Sequence, residues 1–230
     1  MRVILYGFGK MGKMVYEVSK LFPPIEIVCA IDPTATSIDL PIFKNLEEVE
    51  KGADAIIDFS NDLNLFPRLS YAKKHRLKTV IATTGFDEKN ALLLKEFSAD
   101  FPIFYSANFS KTLFLFTKIA KELKEFLPSF EVEIVETHHS QKLDSPSGTA
   151  KSIAKELENP TIHSLRGGTV VGEHEIRFLG KKEKITLVHS AESREIFALG
   201  ALNATLFLEE KISGYYTMED LYNKTASSGA

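Results

Sequence analysis

Short apolar runs alternate with amphipathic stretches through the first half of the chain. "RVILY" (2–6) reads as a buried strand, and after "GFGKMG" a helical stripe carries Met11, Met14, Val15, Val18 and Phe22. "IEIVCAI" (25–31) predicts a second strand; "DAIIDF" (54–59), "KTVIA" (78–82) and "PIFY" (102–105) predict three more, with helical patterns near 64–75 and 87–99. Strands separated by crossovers of this length predict an α/β fold with a parallel, doubly wound sheet. Pro67 falls in the first turn of its helix, where a missing N–H is tolerated.

The pattern then changes. Leu113, Phe116, Ala120, Leu123 and Leu127 mark a longer helix, followed by strand-like runs at 130–136, 169–178 and 184–191. The last two are joined by "LGKKE", a hairpin link with Gly180. Neighbouring strands of this kind predict an antiparallel or mixed sheet, hence a second, α+β unit. Helices near 194–209 and 217–223 complete the pattern, the latter with Thr217 and Asp220 as a capping pair. The closing "TASSGA" is expected to fray.

Composition narrows the classes. The 230 residues are 44% hydrophobic and 26% charged with a net charge of −3, an ordinary globular balance without the basic footprint of a nucleic-acid or membrane binder. Cys29 is the single cysteine and lies in an apolar run, so it reads as a buried small hydrophobe, and no internal disulfide can form. No stretch approaches the ~20 apolar residues of a membrane span. Met1 and Arg2 run directly into a strand rather than a signal peptide, and the expected location is cytoplasmic.

"GFGKMG" places Gly7, Gly9 and Gly12 in G-x-G-x-x-G spacing after a strand and before a helix. Glycines there let a pyrophosphate approach the backbone, and the helix start offers free N–H groups and a favourable dipole. Asp32 follows at the end of the second strand, the spacing for a carboxylate that bonds a ribose hydroxyl. The bland alternative is a plain tight turn. A carboxylate at 32 also repels a 2′-phosphate, so NADH is favoured over NADPH, with Lys10 and Lys13 as nearby cations that soften the preference. "DFSN" (58–61), "TTGF" (83–86) and "SANFS" (106–110) fall after successive strands, at the edge where such sheets bind ligands.

"ETHHSQKLDSPSGTA" (136–150) gathers two imidazoles, an ammonium and a helix start. Strand alternation sends His138 and His139 to opposite faces. Ser147 is a good N-cap, and the first-turn N–H groups of Gly148 and Thr149, the Thr149 hydroxyl and Lys142 together make a carboxylate cradle. A histidine beside it is a natural proton donor near neutral pH. Two other readings stand beside this one. The histidines can be polar decoration at a strand end, or His138, His139, Asp144 and Glu136 can ligate zinc, although no usual zinc spacing is present.

This segment resembles the E-x-H-H-x-x-K-x-D-x-P-S-G-T-A signature of the 4-hydroxy-tetrahydrodipicolinate reductase (dihydrodipicolinate reductase) family. The resemblance extends over nearly the whole chain through "GFGKMG", "DFS", "TTGF", "SANFS", "GEHE", "SREIFALGAL" and "SGYYTMEDL". It implies a Rossmann-type domain, 1–109 with 194–230, and an inserted substrate-binding and oligomerisation domain of mixed sheet, 110–193. By carry-over, His138 is the catalytic acid and Lys142 supports it and binds substrate. His139, Ser147, Gly148 and Thr149 fall on substrate-carboxylate positions. Gly7, Phe8, Gly9, Lys10, Met11, Gly12, Asp32, Ser60, Thr83, Thr84, Gly85, Ser106, Ala107, Asn108 and Phe109 fall on cofactor positions, with no metal. The implied reaction is NAD(P)H-dependent reduction of a small cyclic dicarboxylate in diaminopimelate–lysine biosynthesis, by a homotetramer with no nucleic-acid or membrane partner. Ser145 and Lys10 stand where the family commonly has alanine and arginine, and the 33–53 region is short. Two rivals are another nicotinamide-dependent reductase of a small carboxylate and a non-catalytic dinucleotide sensor.

Overall fold

The computed structural model describes residues 1–37, 39–49, 52–60, 64–83 and 86–222. Thr84 and Gly85, expected at the cofactor, lie outside the described residues, as do Asn61 and the terminal "TASSGA". In chain order the elements are β1 (Arg2–Tyr6), α1 (Lys10–Ser19), β2 (Glu26–Ile31), β3 (Ile42–Phe43), β4 (Ala55–Asp58), α2 (Leu65–His75), β5 (Lys78–Ile81), α3 (Glu88–Ser98) and β6 (Pro102–Tyr105). Then follow α4 (Lys111–Phe126), β7 (Glu131–His138), α5 (Gly148–Glu156), β8 (Thr161–Arg166), β9 (Gly172–Leu179), β10 (Lys184–Ala191), α6 (Glu195–Phe207), β11 (Gly214–Tyr216) and α7 (Met218–Tyr222). The chain divides into two compact units, Met1–Phe109 with Phe197–Ala230, and Ser110–Ile196. Among the described residues no helix is long and apolar enough to cross a membrane.

The first unit holds a seven-stranded sheet of order β11-β6-β5-β4-β1-β2-β3, its paired strands all parallel. This is the Rossmann order, with the chain reversing direction across the sheet between β1 and β4, where open α/β sheets take their ligands. Val3, Ile4 and Leu5 of β1 and all of β4 are buried, as central parallel strands covered on both faces require. Cys29 is buried in β2, and burial pushes its thiol up to about 11, so it behaves as core.

The second unit holds a mixed four-stranded sheet of order β10-β9-β7-β8, with β7–β8 parallel and the other pairs antiparallel. On its inner face Val132, Ile134, Ile176 and Phe178 pack with Leu113 and Phe116 of α4 and Ile153 and Ala154 of α5. The β9–β10 hairpin turns at 180–183, where Gly180 N–H donates to the Glu183 carbonyl. A Cβ at Gly180 would stand 2.6 Å from the Phe130 ring, so a larger residue there would make that ring shift.

Three strands escape the sequence pattern. β3 has two residues, β11 lies inside "SGYY", and β8 is the polar run "TIHSLR" at the sheet edge, without an alternation of apolar residues. β9 begins at Gly172 rather than 169, because Val170 serves a turn in which its carbonyl accepts the His139 N–H.

Candidate active site

In the first unit the functional candidates gather at the carboxyl ends of β1, β4, β5 and β6. Gly7 has φ +92° and a Cβ there would stand 2.8 Å from the Ser60 nitrogen, while a Cβ at Gly12 would stand 2.0 Å from the Gly7 carbonyl oxygen. Both glycines are therefore demanded by the turn itself. Gly9 differs. It is the N-cap of α1, no side chain caps the helix, and a Cβ on it would meet nothing within 4 Å. The open backbone at Gly9 and the first turn at Lys10 and Met11 fit a phosphate group.

The neighbouring loops are tied from below. Asp58, fully buried, pairs with the Arg68 guanidinium at 2.9 Å. Its Oδ1 accepts the Ser60 N–H at 2.8 Å and the Thr83 hydroxyl at 3.1 Å, so one buried carboxylate holds two site loops. Ser106 and Asn108 close a small turn, the Asn108 N–H donating to Ser106 Oγ, next to exposed Ala107. Phe109 is buried in ring contact with Phe59 and Phe104, so its side chain belongs to the core.

Asp32 is engaged within the protein. Its Oδ2 accepts the Phe8 N–H at 2.9 Å, and its Oδ1 accepts the Thr34 N–H, the Thr34 hydroxyl and the Ala35 N–H. Partial burial alone would raise its pKa, but these bonds hold it below the usual carboxylate range. The carboxylate braces the glycine loop, and a ribose hydroxyl would have to share it.

In the second unit the segment 136–150 builds around a buried charge. Alternation along β7 turns Val132, Ile134, Glu136 and His138 inward, and Glu136 is fully buried. Its carboxylate is answered from three directions. Arg166 at the end of β8 donates Nη1 to Oε2 at 3.0 Å and Nη2 to Oε1 at 2.7 Å. The Ser147 N–H reaches Oε1 at 3.2 Å, and His138 Nδ1 is hydrogen-bonded to Oε2. Burial pushes the Glu136 pKa up, but Arg166, His138 and the Ser147 amide outweigh it and hold the group at about 2.

His138 is 7% exposed. Burial lowers its pKa, Glu136 raises it, and Lys142 and Arg166 lower it again, leaving it below the ordinary imidazole value. The His174 ring stands edge-on to it at 5.4 Å between centroids. His174 is itself buried, neither ring nitrogen has a hydrogen-bond partner among the described residues, and burial drives its pKa down to about 4. His139 leaves the strand and is half-buried, its N–H bound to the Val170 carbonyl.

The cradle is also more committed than its sequence implies. Ser147 caps α5, its Oγ accepting the Ala150 N–H, and with its own N–H on Glu136 it is an internal brace. Lys142 Nζ lies 2.7 Å from Asp144 Oδ1, and Asp144 Oδ2 accepts the Gly148 N–H at 3.3 Å. Gly148 N–H, one of the cradle donors, is thus occupied by a carboxylate of the protein itself, which grips the same ammonium and the same helix start. Burial raises the Asp144 pKa, but Lys142 and the Gly148 amide bring it below the usual range. Thr149 follows in the first turn of α5, half-buried. Among the described residues no three His, Cys, Asp or Glu side chains converge on a metal position.

Sequence reading missed the buried roles of Glu136, Arg166 and His174. One signal was present: in "FEVEIVETHH" a glutamate occupies the inward register of Val132 and Ile134, and a buried carboxylate requires a cation. Nothing local points to Arg166, whose strand lacks an apolar pattern.

Comparison with known proteins agrees with this architecture. The family models described as "Dihydrodipicolinate reductase, N-terminus" and "Dihydrodipicolinate reductase, C-terminus" match residues 1–109 and 112–222. A protein of Caldanaerobacter subterraneus subsp. tengcongensis named 4-hydroxy-tetrahydrodipicolinate reductase is 40% identical, covering 97% of this chain and 98% of its own. One of the same name from Clostridium tetani is 37% identical, covering 96% and 97%. In fold, the chain is similar to a dipicolinate-bound dihydrodipicolinate reductase from Paenisporosarcina sp. TG-14, with a TM-score of 0.81, 24% identity, and coverage of 96% and 98%. Matched by both of its domain models and by relatives along almost its full length, the chain belongs to the dihydrodipicolinate reductase family.

Proposed function

We propose that the protein reduces 4-hydroxy-tetrahydrodipicolinate to tetrahydrodipicolinate with NAD(P)H, a step of diaminopimelate–lysine biosynthesis. The observation that carries this reading is the convergence in one segment of a buried, carboxylate-bound imidazole, His138, with an ammonium and a helix start that already hold a carboxylate. A dicarboxylate substrate needs such a grip, and the reduction needs a proton. In balance, one hydride and one proton enter and one water leaves.

Gly7, Gly9, Gly12 and the first turn of α1 hold the cofactor pyrophosphate, a role supported by the open backbone at Gly9. The bound nicotinamide supplies the hydride. His138 supplies the proton from Nε2, since Nδ1 is engaged by Glu136. At rest the imidazole is biased toward its neutral form; the negative charge of an arriving dicarboxylate favours imidazolium and so loads the acid. Lys142 and the Gly148 and Thr149 amides take the substrate carboxylate, which displaces Asp144 or joins it, and His139 borders the same grip. Asp32 disfavours a 2′-phosphate by charge, so NADH is the better donor. The outer face of the second sheet, where Leu165 and Val188 are exposed, supplies the contacts of a homotetramer in the cytoplasm.

The test is a coupled assay in which the upstream synthase supplies substrate and NAD(P)H absorbance is followed. Turnover with both nucleotides, faster with NADH, is expected. NADH binding without turnover would replace this reading with that of a sensor.

A further inference from the structure

Four charged or titratable side chains face His138: Glu136 on its own strand, Lys142 from the following loop, Arg166 from β8 and His174 from β9. Among the described residues, Glu136 is the partner that touches Nδ1. The Arg166 fork contacts both Glu136 oxygens and also donates to the Leu165 and Asp144 carbonyls, so its own position is fixed from three sides. Arg166 is the in-register neighbour of His138 across the parallel β7–β8 pair, while the next row pairs Glu136 with His174. Strand register therefore brings the guanidinium, the carboxylate and the imidazole together, with no loop geometry involved.

We propose that Glu136, kept anionic by the Arg166 fork, is the positioning residue for His138, fixing the proton on Nδ1 so that Nε2 is the nitrogen that gains and loses the catalytic proton. An ionised carboxylate only accepts hydrogen bonds, so its partner Nδ1 must carry hydrogen. The guanidinium makes protonation of Glu136 unfavourable, so the shared proton stays on the ring. Nε2 then faces the space left by Gly172, where a Cβ would stand 3.1 Å away. His174 packs edge-on against the imidazole, so two neighbours on different strands limit its rotation. The arrangement parallels the acid member of a catalytic triad, which selects a tautomer and steadies the imidazolium without taking the proton.

This proposal rests on His138 being the acid, and its test separates the two. In the unsubstituted holoenzyme, ¹⁵N spectra of histidine-labelled protein are expected to show His138 protonated on Nδ1 in its neutral form; protonation on Nε2 instead would overturn the proposal without any variant. Glu136→Gln keeps an acceptor but loses the anion that favours imidazolium. It should keep the tautomer, lower kcat about 10-fold, and move the descending limb of the pH–rate profile to lower pH. Glu136→Ala should lose the tautomer and cost about 10²-fold in kcat, with substrate KM changed by less than about threefold. Should Arg166, left half-buried without its carboxylate, prevent folding, the Glu136→Gln/Arg166→Gln double variant carries the same measurement. A slow His138→Gln enzyme alongside Glu136 variants that lose stability but keep the wild-type pH profile would leave the acid in place and remove Glu136 from its role. Full activity in His138→Gln would overturn the acid reading itself.

Discussion

The glycine loop of the first unit and the histidine segment of the second are built from opposite materials. The loop works by absence: Gly7 and Gly12 let backbone touch backbone, and Gly9 leaves a helix start open. The segment works by excess: a buried carboxylate, a guanidinium and two imidazoles are packed where a sheet would ordinarily place apolar residues. A backbone cradle suits a cofactor that needs a place to lie. Moving a proton requires a group whose charge state the surroundings control, and such control comes from partners that are costly to bury.

The contrast is sharpest in kinetics. His138→Gln is expected to slow turnover by about 10²–10³-fold with little change in either KM, the size usual for a lost general acid. Gly9→Ala should leave turnover near normal and raise the KM for the nucleotide. Steady-state kinetics of both variants checks this, and the reverse pattern would break the comparison.

The next effect is on stability. His174, buried and held near 4, is neutral when folded, whereas the unfolded chain takes up its proton near 6.5. The unfolded state therefore binds more protons between these values, and stability is full above pH 6.5 and lost as pH falls toward 4. The loss is about 3 kcal/mol from this group. Glu136, depressed to about 2, holds its contribution above the ordinary carboxylate pKa and loses it only as pH falls further, toward 2. Urea unfolding at pH 7, 5.5 and 4.5 should show the decline for the wild type and a shallower one for His174→Phe. Equal slopes would mean that His174 is not buried neutral.

The smallest effect separates the glycines from one another. Gly12→Ala forces a Cβ to 2.0 Å from the Gly7 carbonyl and should cost about 1–3 kcal/mol, the usual penalty of overpacking. Gly9→Ala should lie within about 0.5 kcal/mol of wild type, since surface changes away from contacts cost little. Thermal melts of the two variants measure the difference, and equal losses would erase the distinction between turn glycine and ligand glycine.

The same contrast explains what could be read before the fold was seen. The glycine spacing, the strand before it and the stripe after it are local, and the parallel sheet follows from their repetition. The histidines and the Ser147 cap are local too. Arg166 and His174 are not, because each owes its role to the strand lying beside β7. β8 is a polar edge strand without a hydrophobic period, so neither its existence nor its arginine could be placed. The positions of Asp32 and Gly148 are legible, but not their bonds within the protein, Asp32 with Phe8 and Gly148 with Asp144. Spacing tells where a donor or acceptor stands, not whether the chain already uses it.

The parallel pairing of β7 with β8, joined through α5, has a consequence for how this site can vary. Glu136, His138, Lys142, Asp144, the helix start and Arg166 all belong to the single stretch 131–166, and the two strands read each other like a frame. A slip of β8 by one residue against β7 would turn Arg166 to the opposite face of the sheet and leave Glu136 buried without its cation. The register of β8 is thus under the same constraint as the identity of the charged residues themselves.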